Sequence, residues 1–273
     1  MKIDNIINTI INADCLDVLQ KMPDNCIDLV ITSPPYDDLR TYHGYSFNFE
    51  NIAKELFRVM VDGGVVVWVV GDQCIDGQES GTSFKQVLFF KDIGFNLHDT
   101  MIYQKTGFAF PSVGRYHQVF EFMFVLSKGT PKTFNAIKDR KNIETKMGGD
   151  AKRQRDGSVV SGKRGGLPQE RYGMRFNIWK YKTGGGLMST FKLASQHPAT
   201  FPENLAKDHI LSWSNKNDLV MDIFSGSGTT IAMAERLNRR WIGIDISESY
   251  CEIARKRIEK EKLDKINSFG IIT

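Results

Sequence analysis

Apolar positions along the chain gather into short β-branched runs separated by amphipathic stretches. Ile27-Asp28-Leu29-Val30-Ile31-Thr32 predicts a buried strand ending at Ser33, where Pro34-Pro35 stops it. Val65–Val70 predicts a second buried strand after a turn at Asp62-Gly63-Gly64. Ile52, Leu56 and Val59 recur at helical spacing within Phe49–Met60, and Phe84–Ile93 predicts a helix closed by Gly94. Leu97–Tyr103 and Val119–Leu126 predict further strands. Later the pattern repeats. A helix is expected over Glu203–Trp213, a strand over Leu219–Phe224, a helix over Thr229–Leu237, a strand over Trp241–Ile244 ending on Asp245, and a helix over Ser247–Lys260. Alternating strands and helices predict an α/β fold with a doubly wound, mostly parallel sheet.

Between about Asn135 and Gly186 the periodicity fades and glycines recur, at Gly148-Gly149, Gly165-Gly166 and Gly184-Gly185-Gly186. This predicts an insertion over 135–186 that divides one α/β domain into residues 1–134 and 187–273. Charge sharpens that division. Residues 138–182 hold 13 Lys and Arg against 5 Asp and Glu, in a chain of 273 residues whose net charge is +4. A local basic excess points to a polyanion. Arg153, Arg155, Lys163, Arg164 and Arg171 are the candidate phosphate and groove contacts, against the alternative of a solvated loop. Tyr172, Phe176 and Trp179 lie among them. They can stack on bases or anchor the segment to the core, and anchoring is the expectation for Phe176 and Trp179.

Met1–Ile11 has no basic stretch followed by a long apolar run, and Val65–Val70 is too short to span a bilayer, so neither a signal peptide nor a membrane span is expected. Cys15, Cys26, Cys74 and Cys251 form no C-x-x-C pair. They suggest no metal site and are expected to be reduced thiols in a cytoplasmic protein.

Two loops carry candidate chemistry. Asp222-Ile223-Phe224-Ser225-Gly226-Ser227-Gly228-Thr229-Thr230 joins a strand to a helix. Its glycines let backbone approach a ligand, and the helix N-terminus offers unpaired N–H groups. Asp245 ends the next strand, where an acid can accept hydrogen bonds from a ribose diol. The absence of a Gly-Lys-Ser/Thr ending argues against a phosphate loop, and Ile231 stands where a nicotinamide site has its third glycine. A tight turn of an ordinary α/β protein is the alternative. The second loop is Ser33-Pro34-Pro35-Tyr36, expected at the same sheet edge. The prolines make a stiff corner with free carbonyls. Those carbonyls and the Ser33 hydroxyl can accept hydrogen bonds from an amino group, while Tyr36 offers a face for a base. A plain polyproline turn is the alternative.

In this combination the chain resembles the bacterial and phage amino-methyltransferases of DNA in the permuted β-class arrangement, with the catalytic loop first, a target-recognition region next and the cofactor loop last. Asp28–Tyr36 looks like the family's catalytic motif, Asp222–Thr230 like its S-adenosylmethionine loop, and His197-Pro198-Ala199-Thr200-Phe201-Pro202 like the segment before that loop. Asn12-Ala13-Asp14-Cys15-Leu16 resembles an N-terminal acidic motif, although Asp14 could simply begin a helix. The resemblance implies catalytic roles for Ser33, Pro34, Pro35 and Tyr36. It implies cofactor contacts from Asp14, Thr32, His197, Pro198, Asp222, Phe224, Ser225, Gly226, Ser227, Gly228, Thr229 and Asp245. It further implies double-stranded DNA as substrate, a homodimer, and a separately encoded restriction endonuclease as a further partner. Ser-Pro-Pro-Tyr in that family favours cytosine N4 over adenine N6, and the absence of Pro-Cys argues against cytosine C5. An RNA methyltransferase and a non-catalytic nucleic-acid-binding module remain the rival classes.

Overall fold

The computed structural model describes residues 1–35, 47–107, 114–142, 150–162, 171–183, 189, 191 and 202–269. They form two compact units, Met1–Asn135 with Asn177–Thr273, and Ala136–Phe176.

The large unit holds β1 (Thr9–Asn12), α1 (Cys15–Leu19), β2 (Ile27–Thr32), α2 (Phe49–Val59), β3 (Met60–Val70), the short pair β4 (Cys74–Ile75) and β5 (Gln78–Glu79), α3 (Thr82–Asp92), β6 (Asn96–Lys105) and β7 (Phe120–Ser127). The small unit holds β8 (Arg140–Lys141), β9 (Asp150–Arg153), β10 (Val159–Gly162) and β11 (Tyr172–Gly173). The chain returns to the large unit with β12 (Ile178–Tyr181), α4 (Glu203–Trp213), β13 (Leu219–Asp222), α5 (Thr229–Arg236), β14 (Arg240–Asp245) and α6 (Glu248–Phe269). One eight-stranded sheet has the order β1-β14-β13-β2-β3-β7-β6-β12. β7 pairs antiparallel with β3 and β6, and every other neighbouring pair is parallel. The C-terminal ends of β1, β14, β13, β2 and β3 therefore share one edge.

Side-chain alternation explains the layers. Val66, Trp68 and Val70 join a core with Leu19 of α1, Leu56 of α2 and Phe90 of α3. Val65, Val67 and Val69, fully or nearly fully buried too, point to the opposite face. A parallel sheet covered on both faces reads as a continuous apolar run, which is what Val65–Val70 is. Phe49, Trp68 and Phe90 pack edge-on or tilted with centroids 5.2–6.0 Å apart.

Three departures from the sequence-based expectation have physical reasons. The turn expected at Asp62-Gly63-Gly64 lies inside β3. Against β2 the register moves from Ile27↔Met60 to Leu29↔Val65, so the glycines form a bulge. Gly63 has φ +76°, and a Cβ there would sit 2.8 Å from Lys132 Cβ. Second, β1 and β12 join the sheet although neither was expected. β12 lies within 135–186, yet pairs Ile178↔Ile102 through Tyr181↔Lys105 with β6. Third, α6 continues to Phe269 rather than ending near Lys260.

Within the small unit, β9 and β10 form an antiparallel hairpin turned at Gly157 (φ +83°), and β8 pairs with β11. Arg175 and Asp139 form an ion pair there. Among the described residues, no helix is long and apolar enough to cross a membrane.

Candidate active site

The site begins where β13 and β2 lie side by side. Thr32 Oγ1, at the end of β2, donates to Asp222 Oδ1, at the end of β13, over 2.7 Å. Thr230 Oγ1, on the first turn of α5, donates to the Ile31 carbonyl over 3.2 Å. Two buried hydroxyls thus tie the strand that feeds Ser33-Pro34 to the strand that feeds the glycine loop. Asp222 also accepts from Phe224 N over 3.1 Å, and its burial pushes the carboxyl up to about 6 despite these donors.

The glycine loop is closed by its own backbone. Ser225 N donates to the Ile244 carbonyl and Gly228 N to the Ser225 carbonyl, each over 2.8 Å. Gly226 and Gly228 have φ of +50° and +77°, the left-handed region that glycine enters without a Cβ penalty. Gly228 caps α5, and a Cβ on it would lie 2.8 Å from Ala254 Cβ. Gly228→Ala is therefore expected to lower stability by about 1–2 kcal/mol from the backbone conformation alone. Urea unfolding measures it, and an unchanged midpoint would show that alanine takes the left-handed conformation here without cost, as well as that α5 and α6 admit the methyl.

Asp245 faces this loop from the end of β14. Its Oδ2 accepts from Gly226 N over 2.7 Å and its Oδ1 from Ser247 N over 2.9 Å. Burial raises its carboxyl above the ordinary carboxylate range, while those two N–H groups oppose the rise. Each carboxylate oxygen has a second lone-pair direction, so the group retains acceptor capacity. Ser225 Oγ is buried with no hydrogen-bond partner, 2.9 Å from where a Cβ on Gly243 would lie. An orphaned hydroxyl, left-handed glycines and a half-buried acid fit a polar, nucleoside-bearing ligand.

The remaining expected residues fall into three groups. Asp14 is at the same edge and caps α1, its Oδ1 accepting from Leu16 N over 2.8 Å, and Ala13 N donates to the Asp245 carbonyl over 3.1 Å. Phe224 packs against Phe47 and Trp68 with centroids 5.6 and 6.5 Å away, so it anchors the loop to the core. Ser33 and Pro35 are half-buried and Pro34 is buried. Arg153 at the end of β9, Arg155 in the hairpin turn and Arg171 before β11 are all exposed. Trp179 lies in the core of the large unit, 4.6 Å from the His209 ring. Phe176 departs from the expected anchoring. It is 65% exposed, with the Arg140 guanidinium 4.6 Å over its ring. Tyr36, Lys163, Arg164, His197 and Pro198 lie outside the described residues.

Arg257 and Glu203 were not singled out from the sequence, yet both are buried beside the glycine loop. Their signal was available. Cys251, Ala254, Ile258 and Glu261 mark the inner face of α6, and Arg257 falls on it.

Sheet order, two tied loops and an edge acid define an α/β domain built to hold a nucleoside cofactor beside a proline corner. The chain belongs to the N6_N4 DNA methylase family, whose model matches residues 27–256. It is 54% identical over 243 residues to the orphan methyltransferase M.BamHII of Bacillus amyloliquefaciens, covering 88% of this chain and 91% of that one. Among solved structures it resembles PvuII DNA methyltransferase (cytosine-N4-specific), with TM-score 0.66, 20% identity, and 93% and 89% of the two chains covered. It also resembles TTHA0409 of Thermus thermophilus, complexed with S-adenosyl-L-methionine. That match has TM-score 0.61 and 23% identity, and covers 93% and 95%. The protein is thus a DNA methyltransferase, and its methyl donor is S-adenosylmethionine.

Proposed function

We propose that this enzyme methylates the exocyclic N4 of a cytosine flipped out of double-stranded DNA, at a specific site. The observation that supports it most is the Thr32–Asp222 hydrogen bond, which holds Ser33-Pro34 beside the glycine loop. S-adenosylmethionine supplies an electrophilic methyl group on a sulfonium. Asp245 and the Ser225 hydroxyl are the acceptor and donor for its ribose and polar tail, with Gly226 and Gly228 giving it room. Asp14, His197 and Pro198 complete the cofactor contacts in this reading.

The nucleophile needs more help than the electrophile. An exocyclic amine shares its lone pair with the ring. The Ser33 hydroxyl and the carbonyls of the proline corner accept its N–H groups and favour the pyramidal nitrogen that attacks. Tyr36 stacks on the base and holds it in line, so most of the acceleration is alignment. Flipping costs a few kcal/mol. Phosphate contacts from Arg153, Arg155, Lys163, Arg164 and Arg171 offset it, and would make binding steeply salt-dependent. A second copy of the chain and a separately encoded nuclease are the protein partners in a restriction-modification setting, in a bacterial or phage-infected cytoplasm.

Ser33 is what favours cytosine. The family spans both N6 and N4 amines, so adenine N6 is the second reading. Methylated DNA digested to nucleosides and separated by mass spectrometry decides between them. N4-methylcytosine is expected, and 6-methyladenine alone would overturn the base assignment.

A further inference from the structure

We infer that Arg257 is a positioning residue for cofactor binding, holding the glycine loop in its binding shape from beneath. It rests on the reading of Phe224–Gly228 as the cofactor loop. The Arg257 side chain is fully buried. Nη1 donates to the Ser227 carbonyl over 3.2 Å and to Thr229 Oγ1 over 3.0 Å. Nη2 donates to Glu203 Oε1 over 2.7 Å and to Ser189 Oγ over 3.1 Å. Ser189 Oγ also donates to Glu203 Oε1 over 2.9 Å, and Arg236 lies 3.7 Å from the other Glu203 oxygen.

One guanidinium therefore joins four separate parts of the chain: the loop before α5, Ser189, the first residue of α4, and α6. The Ser227–Gly228 peptide is held at both ends. Its carbonyl is taken by Arg257, and its N–H by the Ser225 carbonyl. With that peptide plane fixed, the positions of Gly226 and of the orphaned Ser225 hydroxyl follow.

Stability alone does not account for this placement. A cation at the N-terminal end of α5 opposes the helix dipole. Burying the Arg257–Glu203 pair costs desolvation that apolar residues of similar volume would avoid. Arg257 meets its carbonyl and hydroxyl acceptors through a planar fork, which a lysine cannot reproduce. The energetic expense is offset by order at the α5 end of the loop, where Arg257 holds the Ser227 carbonyl and the Thr229 hydroxyl.

The test removes the pair as a unit, so that no charge is left alone. The double variant Arg257→Met with Glu203→Gln is expected to keep a melting temperature close to that of the unaltered protein. Its Kd for S-adenosylmethionine, by calorimetric titration, is expected to rise about tenfold, the equivalent of one lost charge-assisted hydrogen bond. KM for S-adenosylmethionine should rise in parallel while KM for DNA does not. Arg257→Lys keeps the charge beside Glu203 and should also weaken binding, since one ammonium cannot serve the Ser227 carbonyl, Thr229 and Glu203 together. Affinity equal to that of the unaltered protein in a folded form of either variant would overturn the proposal. Asp245→Ala separates the two levels. If it loses affinity while the Arg257 variants do not, only the role of Arg257 fails. If it too binds normally, the cofactor-loop reading fails and the role of Arg257 with it.

Discussion

Ser33→Ala is expected to lower kcat for methyl transfer about 10²-fold, the loss seen when one positioned polar partner of a transition state is removed. Affinity for S-adenosylmethionine should stay close to that of the unaltered enzyme, because Ser33 follows Thr32 on the catalytic side of the Thr32–Asp222 bond. The reason lies in when the hydroxyl acts. A base amine is planar in the bound substrate and pyramidal as it attacks, so an acceptor placed for the pyramidal form stabilises the transition state more than the ground state. The substitution leaves Pro34 and Pro35, and with them the stiffness of the corner. Single-turnover methyl transfer from labelled cofactor separates chemistry from product release. An unchanged rate would remove the hydroxyl from the mechanism, and with it the main reason for favouring cytosine.

Asp222→Asn is expected to change how stability depends on pH. The Asp222 carboxyl is buried and pushed up to about 6, from 3.8 in an open chain. The folded state therefore binds this proton more tightly than the unfolded state does. The stabilisation is complete below about pH 4 and is lost as pH rises through about 6. Asparagine does not titrate. The difference in unfolding free energy between the unaltered protein and the variant should fall by on the order of 3 kcal/mol from pH 4 to pH 7, and then level off. Urea unfolding at a series of pH values reads it. A difference that does not vary with pH would show that the folded carboxyl titrates as it does in an open chain, its hydrogen bonds from Thr32 and Phe224 balancing its burial.

The parts of the molecule that sequence made legible are those where one local rule dominates. β2 and the apolar part of β3 are β-branched and buried on both faces, and Glu203–Trp213 follows a proline that opens α4. The glycines of the cofactor loop announced themselves because only glycine enters those φ values cheaply. What stayed hidden depends on distant partners. β1 has four residues and is a strand because β14 lies beside it. β12 alternates exposed and buried positions, Ile178 and Lys180 out, Trp179 and Tyr181 in, but sits in a basic, glycine-rich neighbourhood that masked its period. Arg257 falls on the inner face of α6 by its spacing, but the acceptors that hold it, on α4 and the glycine loop, leave no mark in local composition. The site residues nearest to this limit are charged ones, whose partners can come from anywhere in the chain.

The bond between Thr32 and Asp222 joins residues 190 positions apart, and β1 pairs through Thr9↔Ile242 with β14, the last strand in chain order among the described residues. Such contacts have high sequence separation, and folds dominated by them form slowly. On the ribosome, β2 and β3 emerge with one side of the sheet still open, and β1 waits for β14. The two halves of the site come together only once β13 has been synthesised. Methyl transfer, which needs both loops, is therefore a property that the chain gains late in its synthesis.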